Sequence, residues 1–208
     1  MWTRPDITYA VANVAKFCAN PTSDHWIAIK RIMRYLKGSI DFGLCNKCGI
    51  KEDVSGFSDA DWASDTDDRK SVSGYIFQVA GSSVSWRSKK QASVALSTAE
   101  AEYMALASAA QEAMWLRQLM SDLGRPIKSI LIHEDNQSAI KMSKNPQFHG
   151  RSKHIGIKYH FIRELVEKEH LVLQYCPTEE MTADMLTKGL GRDQFFKLRD
   201  MAGVKKLN

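Results

Sequence analysis

The chain has 208 residues, a hydrophobic fraction of 44%, a charged fraction of 25% and a formal net charge of +5, with a pI near 9.0. It is long enough to bury a real core. No run approaches the ~18 uninterrupted apolar residues of a membrane span, and the opening Met1-Trp2-Thr3-Arg4-Pro5-Asp6 lacks the basic-then-apolar order of a secretory signal. A basic balance suits a polyanionic partner without identifying one.

Residues 6–19 place Ile7, Val11, Val14 and Cys18 on one helical stripe that stops at Asn20-Pro21. A second helix, capped by Ser23 or Asp24, carries Trp26, Ile29, Met33 and Leu36 and ends at Gly38. Its Lys30, Arg31, Arg34 and Lys37 face suits a phosphate backbone or plain water, and the pair carries no recognisable chemistry. Cys45-Asn46-Lys47-Cys48 is a lone CxxC; with Cys18 and Cys176 elsewhere, reduced intracellular thiols are the reading preferred over structural zinc. Beyond residue 50 the pattern changes. Strands are predicted at 54–59, 72–80 and 83–87, the last two joined by a turn at Gly81-Ser82. A long helix over 97–122 stops at Leu123-Gly124-Arg125-Pro126, and a buried strand follows at 128–134. Helices over 136–144 and 155–169, a strand at 171–175 and a last helix over 178–190 complete the order. Strands and helices mixed in this way predict an α/β fold around one central sheet.

Four acids fall in suggestive places. Asp59 ends the first strand, Glu102 stands near the start of the long helix, Asp135 ends the fourth strand and Asp184 lies in the last helix. If the first and fourth strands are neighbours, Asp59 and Asp135 emerge at one edge. Gathered carboxylates repel unless cations sit among them, and a ligand set of hard oxygens suits magnesium or manganese. Glu102 is preferred to Glu100 on two grounds. Ser97-Thr98-Ala99-Glu100 reads as a capping box, which gives Glu100 a structural task. Glu102 heads the row Leu106, Ala109, Ala113, Leu116 and Met120, whereas the row from Glu100 through Met104, Ala107, Gln111 and Gln118 is more polar. Taken one at a time, each acid has a plainer reading: a turn residue for Asp59, a helix cap for Asp135, a surface charge for Asp184. The crowd Asp59, Asp61, Asp65, Asp67 and Asp68 likewise reads either as cation-binding or as a solvated acidic loop.

Several words of the sequence are similar to the ribonuclease H domain of copia-type LTR retrotransposon Pol polyproteins. They are Phe57-Ser58-Asp59-Ala60-Asp61-Trp62-Ala63, Asp68-Arg69-Lys70-Ser71-Val72-Ser73-Gly74-Tyr75, Ser97-Thr98-Ala99-Glu100-Ala101-Glu102-Tyr103-Met104-Ala105, Glu134-Asp135-Asn136-Gln137-Ser138-Ala139, Ser152-Lys153-His154-Ile155 and Ala183-Asp184-Met185-Leu186-Thr187-Lys188. The resemblance covers about residues 54–190, and residues 4–45 resemble the stretch that joins a reverse transcriptase to that domain. No Y-x-D-D polymerase signature occurs. The expected division is a helical connection segment at 1–50, a ribonuclease H-like domain at 51–192 and a helical tail at 193–208.

The resemblance implies a five-stranded mixed sheet flanked by helices, and an endonuclease that cuts the RNA strand of RNA–DNA hybrids. It also implies Asp59, Glu102, Asp135 and Asp184 as catalytic ligands of two Mg2+ ions about 3.5–4 Å apart, with Mn2+ able to substitute. Asp59 would touch both ions, Glu102 and Asp135 the one facing the leaving group, and Asp184 the one activating water. Cellular ribonucleases H carry a loop histidine before the last acid. Here Tyr175-Cys176-Pro177-Thr178-Glu179-Glu180 has none, which leaves the proton donor unassigned among metal-bound water, His133, His149, His154 and His160. Asn136, Gln137 and Ser138 are candidates for reading the 2′-hydroxyl. Arg151, Lys153, Lys158 and Arg163, with Phe148 and Tyr159 interleaved, are candidates for holding the DNA strand's phosphates. The expected partners are the hybrid and the polymerase part of a parent polyprotein, with no membrane. Two other readings stay open: a catalytically inactive relic that binds nucleic acid, and an integrase or transposase of the same superfamily, which works with three carboxylates.

Overall fold

The computed structural model describes residues 1–46, 54–65, 67–144 and 153–207. Its centre is a five-stranded sheet in the order β4-β3-β2-β5-β6, formed by β2 (Val54–Asp61), β3 (Val72–Val79), β4 (Ser82–Lys90), β5 (Ile130–Glu134) and β6 (Leu171–Tyr175). Ala80 and Gly81 join β3 to β4, both at positive φ (51° and 76°), the pair of conformations a tight two-residue hairpin requires. The strand β2 is antiparallel to β3 and parallel to β5, which is itself parallel to β6. Parallel neighbours need crossovers, and helices supply them: α3 (Thr98–Asp122) before β5, then α4 (Gln137–Lys144) and α5 (Lys153–Glu167) before β6.

The helix α3 lies across the sheet. Leu106, Ala109, Ala113 and Leu116 are buried as the stripe predicts, against Val54, Phe77, Ile130 and Ile132. The contrast between its two rows is smaller than the sequence suggested. Met104 and Ala107 of the supposedly polar row are also buried, because small alanines let the first half of the helix sink close to the strands.

Three local expectations change. The strand β2 continues two residues past Asp59, so that acid lies inside the strand, paired with Gly74 of β3. The predicted helix at 178–190 is two 3₁₀ turns, Thr178–Glu180 and Thr182–Leu186, separated by Met181 at ψ 90°. The tail is helical only over α6 (Arg192–Met201); Gly203 at φ 84° then turns the chain into β7 (Val204–Lys206).

That last strand closes the molecule on its own beginning. After a 3₁₀ turn come α1 (Thr8–Ala15), α2 (Ser23–Lys37) and β1 (Phe42–Leu44), and β1 pairs antiparallel with β7. Buried Asp6 is held by Arg4 at 2.8 Å and by the Tyr35 hydroxyl at 2.5 Å. The Arg199 guanidinium donates to the Tyr35 hydroxyl at 3.3 Å and lies over the Phe42 ring at 4.2 Å. The cap of α2 is Thr22 with His25, not Ser23 or Asp24. None of the residues of α2 is buried, and Trp26 and Met33 are more than half exposed.

Candidate metal centre

The register of the parallel pair β2–β5 sets up the site. Phe57 lies opposite His133, and their rings stack at 4.7 Å between centroids. Two residues further on, Asp59 lies inside β2 and Asp135 just past the end of β5. Glu102, at the buried start of α3, completes the group. One ligand oxygen from each of Asp59, Glu102 and Asp135 lies within 4.8 Å of the other two. Asp59 is 2% exposed and Glu102 7%, while Asp135 is half-buried and opens the cluster to solvent.

Asp184, on the second 3₁₀ turn, is not part of that close group of three, but its charge acts directly on Asp59. Lys188 Nζ lies 2.9 Å from Asp184 Oδ1, an ion pair outside hydrogen-bond geometry. Thr187 donates its hydroxyl hydrogen to Asp59 Oδ2. Asp135 Oδ2 accepts from the Thr178 hydroxyl at 2.8 Å.

Burial and mutual repulsion dominate the electrostatics. Burial, then the charge of Asp184, pushes the Asp59 carboxyl up to about 7, against an opposing pull from Lys188 and Thr187. Glu102 is raised by burial first and then by Glu134, Asp59 and Asp135. Burial alone would lower the Lys188 ammonium, but Asp59, Asp184 and Asp135 together raise it. Among the described residues, Glu102 Oε2 is a buried acceptor without a hydrogen bond, while Asp184 Oδ1 has the Lys188 ammonium beside it. Unmet carboxylate oxygens converging from separate elements fit a hard divalent cation, because they are costly in any other state.

The sequence reading did not find Glu134. It is fully buried on the face of Ile130 and Ile132, its Oε2 has no partner among the described residues, and it is held neutral-leaning by burial and by Asp59. Its signal was present as the next inward position of the alternating strand. Thr187 and Lys188 were quoted as part of a motif without a task. Asn136, not Asp135, caps α4: its Oδ1 accepts from the backbone of Ser138 at 2.9 Å and Ala139 at 3.1 Å. Gln137 and Ser138 are exposed beside the acids. Lys158 lines a cleft of about 260 Å3 with Ser73, Arg87, Lys89 and Gln91. Arg151, Phe148, His149 and Cys48 lie outside the described residues, as do the side chains of Lys153 and His154. The acidic crowd divides. Asp65 pairs with Lys90 at 2.5 Å and Lys16 at 3.3 Å, and Asp68 with Lys90 at 2.8 Å and Lys70 at 3.3 Å, so lysines serve these acids.

A mixed sheet of this order, with carboxylates from β2, α3 and the end of β5 converging at one edge, is a ribonuclease H-like fold. No family model matches the chain. The retrovirus-related Pol polyprotein from transposon TNT 1-94 of Nicotiana tabacum is 45% identical over 202 residues, spanning 97% of this chain and 15% of that protein. The corresponding polyprotein from transposon RE2 of Arabidopsis thaliana is 42% identical over 207 residues, spanning 99% of this chain and 14% of that protein. Among solved structures, LC11-RNase H1 isolated from compost is 16% identical with a TM-score of 0.49, over 66% of this chain and 94% of that one. Over nearly its whole length the chain is homologous to a segment of the retrovirus-related Pol polyproteins of plant transposons. It spans about one seventh of the length of these relatives.

Proposed function

We propose that the chain is a divalent-metal-dependent endonuclease that cuts the RNA strand of RNA–DNA hybrids. The observation that carries this reading is the convergence of Asp59, Glu102 and Asp135 to within 4.8 Å, with buried acceptor atoms left unmet. The resemblance of its motifs to the ribonuclease H domain of copia-type Pol polyproteins, together with the similarity to Pol polyproteins of plant transposons, supports the substrate class.

Asp59, Glu102 and Asp135 would hold the bound metal, with buried Asp184 as the further acid beside Asp59. Two bound Mg2+ ions, with Mn2+ as a substitute, supply Lewis acidity at the scissile phosphate and lower the pKa of water. Asp135 marks the solvent side, where the backbone of the RNA approaches. Asn136 keeps its amide hydrogens for the 2′-hydroxyl, because only its oxygen is engaged in capping, and Gln137 and Ser138 stand beside it. Lys158, with Arg87 and Lys89 along the cleft, takes phosphates of the DNA strand; Arg151 and Lys153, close to Lys158 in the sequence, are further candidates for that role. The exposed apolar residues Trp26 and Met33 of α2 suit burial against the polymerase part of a parent polyprotein. The work takes place inside the cell, away from membranes; no helix among the described residues is long and apolar enough to cross one.

The test is cleavage of an end-labelled hybrid by the full chain, beside Asp59→Asn and Asp135→Asn. Cutting of the RNA strand that needs Mg2+ or Mn2+ and disappears in both variants is the expected result. A folded wild-type chain that binds hybrid without cutting it overturns the nuclease reading in favour of an inactive binding domain.

A further inference from the structure

The turn that follows Asp184 lies directly against the strand opposite Asp59. In the β2–β3 register Asp59 faces Gly74. A Cβ at Gly74 would stand 2.7 Å from Thr187 Cγ2, 2.9 Å from Leu186 Cβ and 3.3 Å from the Ala183 carbonyl oxygen. The first two distances are shorter than real side chains tolerate, so only a residue without a Cβ lets the 182–187 segment settle so close. Thr187 is fully buried there. Its hydroxyl meets two acceptors, Asp59 Oδ2 and, at 3.2 Å, the carbonyl of Asp184. It has one hydrogen to give, and the carboxylate is both the closer and the charged acceptor. A β-branched side chain wedged against the strand has little rotamer freedom, so the donor stays aimed.

We infer that Thr187 is a positioning residue for Asp59: seated on Gly74, it ties one oxygen of the carboxylate and thereby fixes the rotation at which the group meets a bound cation. The inference rests on the metal-centre reading given above. It explains a feature that reading leaves over, namely why a buried hydroxyl is spent on an acid already crowded by other acids. Without it the Asp59 carboxylate is free to turn about its last torsion, a broad two-fold one. A ligand that must be oriented at the moment of binding binds more weakly.

The experiment measures Mn2+ affinity of the full chain by calorimetry, with free Mn2+ followed by electron paramagnetic resonance, for wild type, Thr187→Val and Thr187→Ser. Valine keeps the shape and removes the hydroxyl; serine keeps the hydroxyl and removes the methyl. Circular dichroism establishes that each chain is folded. The expected result is a roughly tenfold or greater loss of affinity in the valine chain, with the serine chain within about twofold of wild type. Equal affinity in folded wild-type and valine chains overturns the inference, and so does a serine chain as weak as the valine chain. If the valine chain does not fold, Thr187→Ala compared with Thr187→Ser isolates the same hydroxyl and is judged in the same way. A folded wild-type chain that takes up no Mn2+ sinks the metal-centre reading itself, a different outcome from a metal site indifferent to Thr187.

Discussion

Asp59 and Asp65 stand six positions apart and meet opposite fates. Asp65 lies just beneath the surface, its side chain enclosed between Lys90 and Lys16, and the hydrogen bond from Lys90 holds its carboxyl well below the usual carboxylate range. Asp59 is buried, faces other acids and is pushed up to about 7. Both belong to the same acid-rich stretch of the sequence. What separates them is the surroundings: a lysine reaching from a neighbouring strand satisfies one, while burial and neighbouring acids outweigh the pull of Lys188 and Thr187 on the other. A surface ion pair is a modest stabiliser. A buried set of like charges is kept against stability, which is why it points to chemistry.

The widest break in this comparison is expected from matched amides. Asp59→Asn lowers metal-dependent hybrid cleavage by about a thousandfold or more, an effect of several kcal/mol on the transition state. Asp65→Asn leaves cleavage within about twofold and lowers Tm by only about 1–3 °C. Stability moves the other way at the buried site: at pH 8 without divalent ions, the Asp59→Asn chain melts above wild type. Single-turnover cleavage and thermal melts of the three chains check both halves. Equal loss of activity in the two variants would show that the distinction between these acids is mistaken.

The same contrast has a pH signature. A carboxyl whose folded pKa is raised stabilises the fold fully below its unfolded value and loses that contribution as pH rises through the folded value. For Asp59 this window runs from about 3.8 to about 7. Metal-free protein is therefore expected to lose of the order of 2–4 kcal/mol across it. Saturating Mg2+ should flatten the profile, since the cation replaces the proton. For Asp65, whose carboxyl is held low, stability is instead present at neutral pH and lost only on acidification below the usual carboxylate range. Denaturant titrations from about pH 2 to 8, with and without Mg2+, separate the two contributions; a flat metal-free profile between pH 4 and 8 would contradict the buried-charge account.

How much of this was legible follows from which signals are local. The β3–β4 hairpin and the α3 stripe were readable because turn chemistry and helical period sit within a few residues. The adjacency of Asp59 and Asp135 needed only the parallel pairing of two strands, and Glu102 was separable from Glu100 because the latter caps its helix, accepting from the Leu96 backbone at 2.9 Å. The β1–β7 pair was not readable: two three-residue strands far apart in the chain carry no period, and their register is set by the Arg199, Tyr35 and Phe42 contacts around them. The exposure of α2 was hidden for a related reason, since an amphipathic stripe states that a face wants covering and not what covers it. Asp184 was recognised from its motif, but its helix was misread because Met181 leaves helical geometry without a proline or glycine to announce it.

A smaller effect tests the seat beneath Asp59. Gly74→Ala is expected to destabilise by about 1–3 kcal/mol, because the backbone of Ala183 and the side chains of Leu186 and Thr187 must retreat. Gly189→Ala, with nothing within 4 Å of its added Cβ, should change stability by less than about 0.5 kcal/mol. Urea titrations of both chains decide it; indifference at Gly74 would mean the 182–187 segment does not bear on the strand.

The smallest expected effect concerns Lys188, where the buried acids borrow the device that satisfies Asp65. Its ammonium stands 2.9 Å from Asp184, yet a third of the side chain is exposed, so solvent screens the pair and the stability it contributes is modest. Lys188→Met should lower the Tm of metal-free protein by about 1–3 °C at neutral pH, because Asp59 and Asp184 lose a nearby cation. The same change should tighten Mn2+ binding by about two- to fivefold, since a cation entering the site no longer meets a resident positive charge. The two shifts must have opposite signs: a lysine that merely packs would lose stability on substitution without any gain in metal affinity, and that outcome would remove Lys188 from the electrostatics of the site.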